Sequence, residues 1–226
     1  MATRNPTVLV LDVNETLSDL SPLRETFAAL GASPETADTW FAATLRDGFA
    51  LTVADARPSF VDLAADNART LLARQVHDLD AAADQVVQAF RSLTVHPDVA
   101  EGLQDLRTLH RRVVTLSNGA AAVADDLLSR AGLRDLVEQV LTVDDAPRWK
   151  PAPEAYRYAA DACGVPVEEC LMVAAHPWDL HGASGAGLAT AWINRGDAPY
   201  PRSFRAPDLE AESMVDLAAQ LGAVGA

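Results

Sequence analysis

Four groups of polar residues in this chain could do chemistry, and each follows a short apolar segment. The groups are Asp12 with Asn14 and Thr16, Ser117 with Asn118, Lys150, and His176 with Trp178 and Asp179. The first group follows four consecutive apolar residues, a pattern typical of a strand buried on both faces of a parallel sheet. A carboxylate held at the end of such a strand can act as a covalent nucleophile, a general base or a metal ligand.

Five apolar segments predict the strands that would position these groups, and helical segments separate them. The predicted strands are 7–12, 112–116, 140–143, 171–174 and 190–193. Strands that alternate with helices indicate an α/β fold with a doubly wound parallel sheet. Because ligands of such sheets bind at the carboxyl ends of the strands, we expect the four polar groups to converge at that edge.

A long helical segment interrupts this alternation after the first strand. Residues 17–93 carry apolar side chains at helical spacing, including Trp40, and contain no convincing strand pattern. We therefore predict a core domain of residues 1–16 and 94–226. The predicted inserted helical cap domain comprises residues 17–93 and packs over the strand ends.

Composition and charge narrow the classes of partner. Hydrophobic residues make up 49% of the chain, which supports a sizeable core, and the net charge is −14. This charge disfavours nucleic acids and anionic membranes, whereas an anionic small molecule can still bind where a local Arg or Lys reverses the field. No signal-peptide pattern is present, and no apolar run approaches the roughly 20 residues that span a bilayer. We expect a cytoplasmic protein that binds neither nucleic acid nor membrane.

The order of the polar groups resembles the haloacid dehalogenase (HAD) superfamily, and within it the type II, L-2-haloacid dehalogenases. The residues that carry this resemblance are Asp12, Thr16, Ser117, Asn118, Lys150 and Asp179, with further support from the segments 150–156, 178–179 and 192–195. The resemblance covers nearly the whole chain. It implies a Rossmann-like core with a cap. It also implies a hydrolytic dehalogenase that converts short 2-haloalkanoic acids to 2-hydroxy acids without a cofactor.

Two positions favour halide displacement over phosphoester hydrolysis. Phosphatases of the superfamily carry a second Asp, two residues after the nucleophile, that protonates the leaving alcohol; here Asn14 occupies that position, and a halide needs no proton. The phosphatase pattern also has an Asp where Ala175 stands, which leaves too few hard oxygen ligands for Mg²⁺. We therefore expect no metal. A Mg²⁺-dependent phosphatase and a catalytically silent carboxylate-binding protein stay open as alternatives.

The resemblance implies a catalytic role for four residues. Asp12 would attack the halogen-bearing carbon and form an aspartyl ester that water then hydrolyses. Lys150 would keep Asp12 ionised and oriented. Thr16 would hydrogen-bond the nucleophile or its loop, and Asp179 would position or deprotonate the hydrolytic water, or hold Lys150 in place.

Further residues are candidates for substrate binding. Ser117 and Asn118 would supply a hydroxyl and an amide to the substrate carboxylate or to the departing halide. Arg46, in the predicted cap, presents a planar guanidinium suited to a carboxylate. Tyr156 would bond a nearby carboxylate, and Trp178 could donate its indole N–H to a halide.

Some residues depart from the family pattern. Glu15 stands where the family usually has Gly, while Ala174 and His176 stand where it often has Ser and Asn. His176 could replace the missing amide, act as a base or halide donor, or be a structural histidine. Together with Trp178 it keeps fluoroacetate open as a substrate. A homodimer is compatible with the resemblance, but no sequence feature marks an interface.

Overall fold

The computed structural model describes residues 6–196 and 198–224, which divide into two compact units. The core unit comprises the described residues up to Ser18 and from Val95 onward, and the helical unit comprises Asp19–Thr94. The strands are β1 (Val8–Leu11), β2 (Ser18–Asp19), β3 (Thr94–Val95), β4 (Arg112–Ser117), β5 (Gln139–Thr142), β6 (Cys170–Ala174), β7 (Ala189–Ile193) and β8 (Leu209–Ala211). The helices are α1 (Leu23–Ala29), α2 (Thr36–Val53), α3 (Phe60–Leu72), α4 (Leu79–Arg91), α5 (Val99–Thr108), α6 (Ala121–Arg130), α7 (Pro153–Cys163), α8 (Pro177–Ala186) and α9 (Met214–Val224), with 3₁₀ turns at Arg134–Leu136 and Val167–Glu169.

The core unit is built on a parallel sheet, which confirms the predicted α/β class. Among the described residues, six strands pair in the order β5-β4-β1-β6-β7-β8. The chain runs outward from β1 through β4 to β5, and then returns to the other side of β1 through β6, β7 and β8. This reversal opens a crevice at the carboxyl ends of β1 and β6, where doubly wound sheets bind ligands.

Apolar packing on both faces explains why the central strand is uniformly hydrophobic. All four residues of β1 are fully buried. Leu9 and Leu11 pack into a core cluster with side chains of α5 and α9. Because successive side chains of a strand point to opposite faces, Val8 and Val10 lie toward the other face. Burial of this strand holds the residue that follows it in a defined position.

Strand β8 was not predicted from the sequence. It has three residues, Leu209–Ala211, and of these only Ala211 is buried. Such a short edge segment carries too little alternation or apolar length to indicate a strand. It pairs with β7 and leads into α9.

The helical unit is formed by α1 to α4 around aromatic side chains. Trp40 packs against Phe27 and Phe90, and its Nε1 donates to the carbonyl oxygen of Ala64 at 2.7 Å. The Ser59 side chain caps α3 by accepting from the Asp62 amide. Within the described part of the chain, no helix is both long enough and apolar enough to cross a membrane.

Contact between α5 and α9 depends on a glycine, and we predict that Gly102→Ala destabilises the core unit. A Cβ at Gly102 would lie 2.5 Å from the Cβ of Met214 and 2.6 Å from its carbonyl carbon. Because this contact is with backbone, we expect a net loss of about 1–3 kcal/mol in the free energy of unfolding, even after the gain in helix propensity. Urea denaturation measures the loss.

Gly185→Ala in α8 is the matched control, because a Cβ there would meet no atom within 4 Å. We expect this variant to be unchanged or stabilised by up to about 1 kcal/mol. Equal stability of the two variants would show that the contact between α5 and α9 leaves room for a Cβ at position 102.

Candidate active site

Asp12 lies directly after β1, at the crevice between β1 and β6. Its amide donates to the carbonyl oxygen of Val173 at 2.9 Å, and its residue surface is only 4% exposed. Thr16 is on the turn that follows. The Thr16 hydroxyl donates to Oδ2 of Asp12 at 2.8 Å and accepts from the Ala175 amide at 2.9 Å. Thr16 thus ties the loop after β1 to the loop after β6.

Lys150 is the only lysine in the chain and is fully buried. Its Nζ lies 2.8 Å from Oδ1 of Asp12 and 2.6 Å from Oδ2 of Asp179. One ammonium group therefore bridges two buried carboxylates, an arrangement that orients both of them.

Asn118 holds the backbone of Lys150. Its Nδ2 donates to the Lys150 carbonyl oxygen at 3.1 Å, and its Oδ1 accepts from the Lys150 amide at 2.9 Å. The side chain that the sequence suggested for substrate binding is therefore in contact with the loop that carries the ammonium. Its neighbour Ser117 is also buried, and its Oγ accepts from the Gly119 amide at 2.9 Å.

Tyr156 contacts the second carboxylate. Its hydroxyl lies 2.7 Å from Oδ1 of Asp179 and 2.9 Å from the Asp179 carbonyl oxygen. The contact requires a glycine at position 182, because a Cβ there would lie 2.7 Å from the Tyr156 hydroxyl and 2.6 Å from the Pro151 carbonyl oxygen. Asp179 thus has a donor on each of its carboxylate oxygens.

His176 contacts the other oxygen of the candidate nucleophile. Its Nδ1 lies 3.2 Å from Oδ2 of Asp12, and its Nε2 lies 2.7 Å from Oε2 of Glu15. The Trp178 ring packs against it with a centroid separation of 5.2 Å, and Lys150 Nζ lies 5.9 Å from the Trp178 centroid. His176 therefore lies beside Asp12, and Trp178 lies beside His176 and Lys150.

Burial and neighbouring charges shift the pKa values of the site's ionisable groups in opposite directions. Burial disfavours the Asp12 carboxylate, but the charges and hydrogen bonds of Lys150 and His176 hold its pKa well below the ordinary value. Burial also disfavours the Lys150 ammonium, yet Asp12 and Asp179 keep its pKa above the ordinary value. Asp179 differs: burial and the charge of Asp12 raise its pKa, against the effect of Lys150 and Tyr156. The two carboxyl groups are thereby set apart, with Asp12 the more acidic.

The pKa of His176 is shifted toward its charged form. Burial opposes the imidazolium, but the hydrogen bonds and charges of Asp12 and Glu15 outweigh it and raise the pKa of His176 to about 10. Burial and Asp179 raise the pKa of Tyr156 well above its usual value, so its hydroxyl stays protonated and can donate.

Arg46 lies in α2 of the helical unit. Its Nε donates to Oδ1 of Asp47 at 2.8 Å, and 70% of its side-chain surface is exposed. Asn67 donates to the other oxygen of Asp47 at 3.0 Å. Asp47 therefore orients the guanidinium within the helical unit.

The residues around Asp12 do not fit Mg²⁺. Ala175 presents no side-chain oxygen, and the Lys150 ammonium contacts both carboxylates of the site. Among residues 6–196 and 198–224, no group of three or more His, Cys, Asp or Glu side chains could hold a metal ion. The charge that faces Asp12 comes from side chains of the chain itself.

Glu15 belongs to this cluster through its contact with His176, and the sequence analysis did not predict that contact. The sequence marks it only as a Glu where glycine is usual, and its backbone φ of 59° is indeed in the left-handed region. The useful signal would have been this departure considered together with the His at position 176, which replaces an uncharged amide by a group that can pair with a carboxylate.

Comparisons with known proteins point to a single family. The profile of the haloacid dehalogenase-like hydrolases matches residues 6–187. The chain is 30% identical to (S)-2-haloacid dehalogenase 4A of Burkholderia cepacia over 212 residues, 92% of this chain and 91% of that protein.

Solved structures agree with this relationship. The crystal structure of a dehalogenase with an intermediate complex aligns with a TM-score of 0.89 at 27% identity, covering 96% of this chain and 98% of that one. A defluorinating L-2-haloacid dehalogenase aligns with a TM-score of 0.80 at 26% identity, covering 96% and 95%. The chain belongs to the haloacid dehalogenase-like hydrolases.

Proposed function

We propose that this protein is a hydrolytic dehalogenase that converts short 2-haloalkanoic acids to 2-hydroxy acids through an aspartyl ester on Asp12. The observation that carries the proposal is the buried Lys150 ammonium, 2.8 Å from Asp12 and 2.6 Å from Asp179. It keeps Asp12 ionised without a metal and leaves the carboxylate as the reacting group. The absence of an acid at Asn14 suits a leaving group that departs without a proton.

In the first half-reaction an Asp12 carboxylate oxygen attacks C2 of the haloacid. A C–O bond forms, the carbon–halogen bond breaks, and the halide leaves with the bonding electron pair. Lys150 and Thr16 hold the two carboxylate oxygens in fixed directions, so that little reorganisation accompanies the attack.

In the second half-reaction water adds to Cγ of Asp12. The bond from Cγ to the ester oxygen, which Asp12 supplied, then breaks. This releases the 2-hydroxy acid and restores the Asp12 carboxylate, with one proton released overall. Asp179 holds the Lys150 ammonium, and its raised pKa makes it a better proton acceptor than an ordinary aspartate.

Substrate binding is assigned from side-chain chemistry. Arg46 would pair with the substrate carboxylate through its planar guanidinium, and Ser117 would offer a hydroxyl. Trp178 would offer its indole N–H to the halide, whereas both ring nitrogens of His176 already contact carboxylate oxygens. Fluoroacetate belongs to the proposal as a finer claim, because fluoride needs strong donors as it leaves and a defluorinating enzyme is among the similar structures.

We predict halide release from 2-haloacids in the presence of EDTA. The substrates are chloroacetate, bromoacetate, 2-chloropropionate and fluoroacetate, and ion chromatography measures the free halide. Because the charge facing Asp12 comes from Lys150, chelation should leave the rate unchanged. Asp12→Asn, which removes the nucleophilic carboxylate and keeps the size of the side chain, should abolish release.

The alternatives give different results in the same assay. A Mg²⁺-dependent phosphatase would release phosphate from small phosphoesters, and EDTA would stop it. A catalytically silent carboxylate-binding protein would release no halide. Haloacids would raise its melting temperature, and they would do so in the Asp12→Asn variant as well. If none of the four acids releases halide, the proposal is contradicted.

We predict that Lys150→Met lowers both activity and stability. Removing the ammonium leaves two buried carboxylates without their cation, a change that costs about 3–5 kcal/mol in the free energy of unfolding near neutral pH. The loss in kcat should be on the order of 10²-fold or more, because Asp12 is no longer oriented or held ionised. Urea denaturation and steady-state kinetics measure the two effects.

The stability loss should depend on pH in a defined direction. In the parent protein the depressed pKa of Asp12 contributes stability above the unfolded-state pKa of about 3.8, and that contribution disappears as pH falls. Without Lys150 the carboxyl pKa values rise in the folded state, so the variant should be penalised more at pH 8 than at pH 5. Arg69→Met, which removes a partly exposed cation paired with Asp66 and Asp80 in the helical unit, is the control and should show no such pH-dependent loss. Equal losses at the two pH values would contradict a buried ionic bridge.

A further inference from the structure

Glu15 occupies a turn position that would accommodate glycine most easily, yet it carries a carboxylate aimed at the site. Its φ of 59° lies in the left-handed region, where residues other than Gly, Asn or Asp are uncommon. From this conformation Oε2 reaches Nε2 of His176 at 2.7 Å. The strained backbone and the short contact together indicate a role for the side chain beyond closing the turn.

Both ring nitrogens of His176 face carboxylate oxygens. Nδ1 lies 3.2 Å from Oδ2 of Asp12, and Nε2 lies 2.7 Å from Oε2 of Glu15. An ionised carboxylate only accepts hydrogen bonds, and a neutral imidazole has only one N–H. A neutral His176 would therefore place a bare nitrogen against a negative oxygen, whereas the imidazolium satisfies both contacts.

We infer that Glu15 is a positioning residue that keeps His176 as an imidazolium, with its Nδ1–H on Oδ2 of the candidate nucleophile. The inference rests on the proposed function and deepens it. With Oδ1 as the esterified oxygen, water adds to Cγ of Asp12 in the ester intermediate and negative charge develops on Oδ2, the oxygen that His176 contacts. A cationic donor already fixed beside Asp12 stabilises that charge without reorganisation.

The other charged groups near the ring do not provide this effect. Lys150 contacts the opposite oxygen of Asp12 and also Asp179, so its charge is already shared by two carboxylates. His96 contacts the backbone carbonyl of Glu15, with Nε2 at 3.2 Å. Glu15 thus joins Asp12 in placing a carboxylate oxygen against the imidazole. The raised pKa of His176, about 10, agrees with this pairing.

The first test measures the protonation of His176 without any turnover. The chain has five histidines, and the ring signals of His176 in a ¹⁵N-histidine-labelled sample are assigned by their loss in His176→Asn. We expect His176 to stay doubly protonated through pH 9 in the parent protein. In Glu15→Gln, which keeps the size and removes the charge, its pKa should fall by about 1–3 units. A neutral ring at pH 7 in the parent, or identical titrations in the two proteins, would overturn the inference.

The second test measures kcat as a function of pH with the best haloacid substrate and follows the alkaline limb of that profile. Loss of the imidazolium proton should lower kcat, so the limb should move to lower pH in Glu15→Gln by the same shift as the NMR titration. A merely structural role for Glu15 would lower the rate without moving the limb. Glu101→Gln, an exposed position in α5, is the control and should leave both titrations in place.

The two tests separate failure of the inference from failure of the proposed function. If the parent protein releases no halide, the dehalogenase proposal is contradicted. The NMR titration would still decide whether Glu15 keeps His176 charged. If Glu15→Gln does not fold, Glu15→Gly replaces it, because glycine adopts the left-handed turn without strain. An unmoved limb beside a shifted NMR titration would overturn the role of the imidazolium in turnover.

Discussion

The structure of the site depends on one buried ammonium group. Lys150 Nζ bridges Asp12 and Asp179 from a fully buried position, and taking such charges out of water is unfavourable unless every one of them is paired. Around this bridge the chain provides a donor for each remaining oxygen: Thr16 and His176 on Asp12, and Tyr156 on Asp179. The result is a carboxylate whose direction and ionisation are both determined by neighbouring side chains.

The sheet topology makes this pairing possible. Asp12 follows β1 and Asp179 lies in α8, which follows β6, the strand beside β1. Lys150 comes from the loop after β5, on the opposite flank of the sheet, and reaches across to the crevice. The side chain of Asn118, after β4, holds the backbone of Lys150 on that path. Each of the polar groups at this edge thus follows a different strand of one sheet.

Much of the fold follows from the sequence, because the physical signals are local. The apolar run of β1 and the alternation of strands and helices indicate a doubly wound sheet without any knowledge of tertiary contacts. Strand β8 could not be predicted in this way, because three residues with one buried side chain carry no periodic signal. The apolar spacing of residues 17–93 predicted helices, and α1 to α4 lie within that segment, but the two-residue strand β2 at its start carries no pattern that would reveal it.

The details of the site are less accessible to sequence analysis. Asp12 and Lys150 are 138 positions apart. The placement of both after predicted parallel strands, together with the resemblance to the L-2-haloacid dehalogenases, suggested that they meet. The contacts of Asn118 with a backbone could not be foreseen, since backbone positions depend on the folded loop. Glu15 was recognisable only as a departure from glycine, because its contact with His176 requires the left-handed turn to be formed.

The central claim is that an oxygen of Asp12 bonds to the carbon of the substrate. A single turnover in ¹⁸O-water with enzyme in excess, followed by mass analysis of the peptide that contains Asp12, tests it most directly. If water attacks the ester at Cγ, one ¹⁸O atom enters Asp12 and the product carries an unlabelled oxygen from the enzyme. Label found in the product, with an unlabelled Asp12, would show direct attack of water on the substrate and contradict the account.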